Sequence, residues 1–427
     1  MMLERIKKLL VESEADAWEL TETLTEGWEF YYIRHRLDQN RAKKVRHIRV
    51  RVYRTTDGGK TIGSASEEIP PTATDTEAED MIRQLVKRAS YVKNPYYTLN
   101  GPSGGPLAPA EGKTPDLSSL AEDYLSAVRE IEETEDAYLN SCEIFVRVNH
   151  VHFLNSEGID ITDVRPDSTL ELVVNAKDAS GEIELYRLRD AGVCDKEALK
   201  ASVAEVMRFG RDRLRAQPMP KLKKADVVFS TAEIREICGF FAGRMSASYK
   251  VRGYSDWEIG QPLGEGDVHV SLEALAELPN SSHNALCDAE GARIHDTVML
   301  RDGVPQAFLG NRQFSAGLGL KDSFIPGNYR MSGGAADEEE ICAGDYLEAV
   351  DFSDFQADPL SGSIGGEVRL AYWHHGGEVT PVTGGSISGN MLTLMRSMKM
   401  TKELTRYDNM EVPQRIRLSG MSVTGIA

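Results

Sequence analysis

The chain of 427 residues has no run approaching the ~18 consecutive apolar residues of a membrane helix. Its first eight residues, MMLERIKK, open a charged amphipathic helix rather than an apolar leader. A cytoplasmic location is therefore expected. Cysteine is scarce: Cys142, Cys194, Cys238, Cys287 and Cys342 are odd in number and nowhere form CxxC. This excludes a disulfide framework and a zinc ribbon and leaves reduced, mostly buried thiols. Positive charge is also short, with 49 Lys and Arg against 67 Asp and Glu and a net charge of -18. Generic binding to a phosphate backbone is thus unfavourable, and nucleic acid is not an expected partner. The local exception is Arg41, Lys43, Lys44, Arg46, His47, Arg49 and Arg51; Arg49, Arg51 and Tyr53 alternate with Val50 and Val52 and read as a strand with one solvated face. The glycine pairs at 333–334 and 384–385 lack the Lys-Ser/Thr of a P-loop. No repeat of fixed period is visible.

Hydrophobic residues make up 41% and charged residues 27%, an ordinary globular composition, and the length favours two domains. In the N-terminal part a short helix precedes strand-like runs at 18–24, 30–36 and 47–54. Thr74 with Glu77 forms a capping box that opens a helix to about residue 90. A Gly/Pro-rich loop at 100–115 follows, and Thr114 and Pro115 start the next helix. Strands are then expected at 143–148, 151–155, 170–175 and 182–187, with a long helix over 195–215 stopped by the Pro-rich 217–220. These features place a boundary that makes 1–220 an N-terminal α+β domain, a mixed or antiparallel sheet covered by helices. Beyond it, 221–427 reads as a β-rich, barrel-like or two-sheet domain, because glycine turns separate short strands such as 267–272, 297–300, 366–373 and 415–418. One long helix interrupts it. Ser230 with Glu233 reads as a second capping box, and Ile234, Ile237, Cys238, Phe241, Ala242 and Met245 share one helical face.

Six short motifs follow one another along the chain. They are Asn-Ser-Glu-Gly at 155–158, Asp-Ala-Glu-Gly at 288–291, the turn at 301–304, the Asn-x-x-x-Ser-Gly-Gly at 328–334, Thr-Gly-Gly-Ser-Ile-Ser-Gly-Asn at 383–390, and the closing 419–425. Their order and spacing resemble the TldD/PmbA family, known as modulators of DNA gyrase and as peptidase subunits. In TldD-type subunits a His-Glu-x-x-x-His helix binds zinc just before an Arg-Gly-x-Ser turn. Counting back from Arg252 and Gly253 places that motif at 238–243, which here reads Cys238, Gly239, Phe240, Phe241, Ala242, Gly243.

The resemblance therefore implies a PmbA (TldE)-type subunit with no catalytic residue and no cofactor of its own. It implies a heterodimer with a TldD-type zinc subunit, enclosing a chamber in which unfolded or extended peptides are cleaved during peptide maturation or proteolysis. A homodimer is the expected state in isolation. Asp288, Glu290, Asn328 and Ser332 are candidates to line the chamber, although Asp288 and Glu290 also read as a turn whose carboxylates hold loops. Two other classes stay open: an autonomous hydrolase with a different site, and a non-enzymatic acidic regulator of a DNA-acting enzyme such as gyrase. For metal binding, His150 and His152 share a strand face without an evident third ligand. His374 and His375 read as an exposed pair at a hairpin tip. Cys238 lies on an apolar stripe and Cys287 beside Asp288, both poor settings for a nucleophile.

Overall fold

A computed structural model describes residues 2–104 and 116–426. Most of the Gly/Pro loop expected at 100–115, and the Thr114 and Pro115 helix start, lie outside the described residues. In chain order, α1 (Met2–Glu12) leads into β1 (Ala17–Ile33), β2 (Arg36–Thr56) and β3 (Thr61–Glu68). Next come α2 (Asp75–Ala89), β4 (Asn94–Pro95) and α3 (Leu117–Arg129), then β5 (Ala137–Asn155), β6 (Asp160–Asp178), β7 (Gly181–Ala191) and α4 (Lys196–Leu214). The seven strands form one sheet in the order β4-β3-β2-β1-β5-β6-β7, and all of its pairings are antiparallel. Of the two arrangements the sequence left open, mixed or antiparallel, the sheet takes the antiparallel one.

Period-two alternation explains how this sheet is covered. Even positions of β1 face the helices. Leu20 is paired with both Val50 and Leu154 and is fully buried with α1 and α2, while Phe30, paired with Ile144, is buried with α3 and α4. The runs at 18–24 and 30–36 are not separate strands. The first run and residues 30–33 of the second are joined through Gly27 into a 17-residue β1, flanked on both sides by β2 and β5, and Arg36 already opens β2. The basic strand is likewise only partly wet. Val50 and Val52 are buried as expected, but Tyr53 is also buried, and Arg51 turns inward to meet two carboxylates.

The chain then passes through β8 (Gln217–Pro218) and β9 (Lys223–Phe229) to α5 (Ile234–Arg244). After it come β10 (Ser271–Leu275), β11 (Thr297–Arg301), β12 (Val304–Pro305), β13 (Asn328–Ser332), β14 (Tyr346–Ala357), β15 (Ser363–His375), β16 (Glu378–Thr383) and β17 (Ser386–Asn390). The last four are β18 (Lys399–Met400), β19 (Leu404–Tyr407), β20 (Met410–Pro413) and β21 (Ile416–Thr424). Strands β14, β9, β21, β17 and β15 pair in sequence and β15 returns to β14, which closes a five-stranded barrel. A second sheet runs β12-β11-β10-β13-β20-β19. The fold class is α+β, with a helix-backed sheet in the N-terminal half and a β-rich, barrel-containing C-terminal half.

Helix α5 is wrapped by apolar side chains from both C-terminal sheets. Helix α4 couples the halves, since its apolar face is buried together with Val350, Leu370 and Tyr372 of the barrel. Among the described residues no helix is long and apolar enough to cross a membrane.

Candidate functional site

Helix α5 carries the stretch 238–243. Its start differs from the sequence expectation. Thr74 and Glu77 do form the reciprocal capping box of α2, with Thr74 Oγ1 accepting from the Glu77 amide and Glu77 from the Thr74 amide. At α5, Ser230 instead donates its hydroxyl to Glu348 at 2.7 Å, Glu233 is bonded to the Thr231 hydroxyl, and the helix begins at Ile234 without a side-chain cap. The half-buried carboxylate of Glu348 outcompetes a local amide for the Ser230 hydroxyl.

Six of the eleven residues of α5 are buried apolar residues, among them Cys238, Phe240 and Phe241, and the two phenylalanines pack in an aromatic cluster with Trp257. Burial pushes the Cys238 thiol up to about 12, so it carries no thiolate at neutral pH. A side chain at Gly239 would enter open space, whereas a Cβ at Gly243 would lie 2.6 Å from Pro359 Cγ. The residues present therefore do not fit a zinc ion. Cys238 is a protonated thiol sealed in the core, Gly239 and Gly243 supply no donor, and Pro359 occupies the space a ligand at 243 would need.

Two of the six motifs meet where the N-terminal sheet abuts the C-terminal half. At the end of β5, Asn155 accepts the amides of Glu157 and Ile159 and donates to the Asn100 carbonyl at 2.7 Å, while Ser156 Oγ accepts the Trp18 amide. Asn100 in turn donates to the Glu290 carbonyl. In the 288–291 turn, Asp288 accepts three amides, from Glu290, Ala292 and Ile325, at 2.8, 2.9 and 2.8 Å. Burial raises the Asp288 pKa in spite of these bonds. Gly291 has φ +74°, and a Cβ there would strike the Phe153 ring, so the turn needs glycine.

Glu290 accepts the Arg312 amide at 2.7 Å through one oxygen and Arg51 Nη1 at 3.3 Å through the other. Arg51 also lies 3.4 Å from Glu19, whose carboxylate accepts the Tyr53 hydroxyl at 2.9 Å. Burial lifts Glu19 to about 7, with Arg51 opposing the shift and Glu290 adding to it. The carboxylates of Asp288 and Glu290 hold loops together. Asn328 is buried at the start of β13 between Ser281 and Asn284, and Ser332 is half-buried at its other end, roughly 13 Å away at strand rise. These four candidates do not converge on one cavity.

A polar cluster that sequence reasoning missed lies beside α4, at the barrel wall. Glu348 accepts Ser230 and Arg415, both at 2.7 Å, and His374 Nε2 is 3.4 Å from its second oxygen, near enough for attraction but not aligned as a hydrogen bond. Burial favours the neutral carboxyl, but Ser230, Arg415 and His374 outweigh it and hold the Glu348 pKa below its usual value. The hairpin-tip expectation fails for His374, which stacks on Tyr346 at 4.1 Å and is partly buried, whereas His375 is exposed and pairs with Asp345. The strand alternation of β15 was the available signal, since it turns the two histidines to opposite faces. Ser230 in this cluster lacks the base a nucleophile requires, because the carboxylate it faces is already committed to Arg415.

His152 is held by Asp160 at 2.7 Å and His150 sits 4.0 Å from Glu26, so the two engage separate carboxylates. Among the described residues no three or more His, Cys, Asp or Glu side chains gather as a metal site. Burial raises Cys142 and Cys194 to about 12 and Cys287 to about 11, so none of these thiols is an activated nucleophile.

The family described as PmbA/TldA metallopeptidase C-terminal domain matches residues 222–425. The whole fold is similar to the crystal structure of TldE from Thermococcus kodakarensis, with a TM-score of 0.77, 16% identity and coverage of 99% of both chains. It is equally similar to a candidate modulator of a DNA gyrase from Thermotoga maritima, with a TM-score of 0.76 and 16% identity over 99% of both chains. A further candidate modulator of DNA gyrase, from Bacteroides thetaiotaomicron, gives a TM-score of 0.78 at 13% identity, covering 100% of this chain and 98% of that one. No curated protein matches the sequence with significance. The family model thus covers residues 222–425, just under half of the chain, and over its whole length the chain shares the fold of these solved structures.

Proposed function

We propose that this chain is the non-catalytic, PmbA/TldE-type subunit of a heterodimeric zinc metallopeptidase that acts on unfolded or extended peptides in the cytoplasm. The observation that carries this reading is α5. At the position where the family resemblance puts a metal-binding helix, Cys238 is a buried neutral thiol, Gly239 and Gly243 offer no donor, and Pro359 closes the space beside Gly243. The likeness of the whole fold to a protein named TldE supports the same reading.

Amide hydrolysis at neutral pH needs an activated nucleophile and a stabilised oxyanion. The thiols of Cys142, Cys194, Cys238 and Cys287 are held protonated by burial, and Ser230 faces an ion-paired carboxylate. An autonomous hydrolase is therefore disfavoured. Zinc in a TldD-type partner would supply the Lewis acid and the activated water. This chain would supply wall and support, with Asp288 and Glu290 acting through the loops they fix. A surface shaped for a partner of similar fold would pair with a second copy in its absence, so a homodimer is the expected state of the isolated chain.

The test is reconstitution. The chain alone should leave extended peptides intact, and adding a TldD-type subunit should give cleavage that depends on that subunit's His and Glu. Cleavage by this chain alone that resists chelators would overturn the proposal.

A further inference from the structure

Between the loop that follows β4 and the segment that follows the 288–291 turn lies a cavity of about 470 Å³, lined among others by Asn100, Gly104, Arg293, Arg312, Lys321 and Asp322. Its charge runs against that of the molecule. In a chain of net charge -18, three cations meet one carboxylate here, and that carboxylate, Asp322, faces His295 at 3.2 Å.

Among the described residues, the two guanidinium groups are held in place without being neutralised. Arg312 donates Nε to the Thr98 carbonyl at 2.9 Å and Nη1 to the Leu320 carbonyl at 3.1 Å, while its own amide is fixed by Glu290. Arg293 donates Nη1 to the Gly104 carbonyl at 2.5 Å. A carbonyl dipole orients a guanidinium but leaves its charge intact, and each group keeps further N–H donors for a ligand. Lys321 has no ion-pair partner among the described residues and is exposed at the rim. Fixed donors with uncompensated charge are the arrangement that binds an oxyanion without a reorganisation cost. The volume falls in the range of small-molecule sites and exceeds that of a bare ion, so the anionic group would be carried by a larger ligand.

We infer that this cavity is a binding site for a small ligand bearing a carboxylate or phosphate group, gripped by Arg293, Arg312 and Lys321. The inference goes beyond the subunit assignment and stands or falls separately from it, because binding is read on the isolated full chain with no peptidase activity involved.

Isothermal titration calorimetry tests it with three probes: N-acetyl-trialanine as the free acid, the same peptide as its amide, and inorganic phosphate. One site per chain is expected for the acid, for phosphate or for both, at least about tenfold tighter than for the amide. The acid binding alone identifies a carboxylate ligand, and phosphate alone a phosphate ligand. Lys321→Met and Arg293→Met should each weaken the bound anion about fivefold or more, with thermal midpoints unchanged, and Lys321→Arg should retain binding. Equal binding of acid and amide with no phosphate binding, no binding of any probe up to about 10 mM, or unchanged affinity in both methionine variants would overturn the assignment.

Discussion

Arg51 of β2 lies 3.3 Å from Glu290, 239 positions away in the sequence, and the same guanidinium is 3.4 Å from Glu19 on the neighbouring strand. One half-buried cation thus serves two buried carboxylates, one on the N-terminal sheet and one in the turn of the C-terminal half. Removing it would leave both carboxylates buried without a counter-charge. Arg51→Met is accordingly expected to lower stability by about 3 kcal/mol, measured by urea unfolding at pH 8. A loss below about 0.5 kcal/mol would show that the contact is no more than a surface pair.

Glu19 sets a pH dependence whose sign can be worked out. Its pKa is raised from 4.5 unfolded to about 7 in the fold, chiefly by burial. The folded state therefore holds the proton more tightly. The stability this contributes is fully present below pH 4.5 and is lost as the pH rises through about 7. Between these limits it amounts to roughly 3 kcal/mol at most. Glu19→Gln should remove this slope, so that wild type and variant diverge between pH 5 and 8 in urea midpoints. Parallel curves would rule out Glu19 as the titrating group.

The two glycines of α5 should respond oppositely to alanine. At Gly239 a Cβ meets nothing within 4 Å, so Gly239→Ala should gain about 0.5–1 kcal/mol from the smaller entropy of the unfolded chain. At Gly243 the Cβ would lie 2.6 Å from Pro359 Cγ and 2.7 Å from its Cβ, so Gly243→Ala should cost about 1–3 kcal/mol. Thermal midpoints of both variants check the pair, and a gain at 243 would show that Pro359 yields easily.

Cys238 is a core side chain in this account and touches no chemistry. Cys238→Ala should lower stability by about 1 kcal/mol and leave turnover of a reconstituted complex within about threefold. Peptide cleavage lost in this variant while the fold persists would reinstate the thiol as a nucleophile.

Local signals were legible where neighbours in sequence are also neighbours in space. The Thr74–Glu77 cap of α2, the Asp195 start of α4 and the apolar face of α5 all follow from spacings of three and four. The same spacing misled at Ser230, because the partner that captures its hydroxyl, Glu348, is 118 positions away. The gap at 25–29 between the expected runs 18–24 and 30–36 is strand in the fold, because flanking β2 and β5 carry β1 straight through it. Nor did sequence distinguish Glu19 from any solvent-facing glutamate of an alternating strand. In the fold it is buried, with Asp288 and Glu290 of the 288–291 turn, from the other half of the chain, among its charged neighbours. The place of the motif helix was readable from Arg252 and Gly253, whereas the collision of Gly243 with Pro359 required the fold.

The most direct test of the central claim is the metal content of the chain purified alone, without chelator and with zinc supplied. A helix that offers Cys238 as a buried thiol, with glycine at 239 and 243, predicts well under about 0.1 zinc per chain by elemental analysis. About one zinc per chain, retained on dialysis, would contradict the non-catalytic assignment.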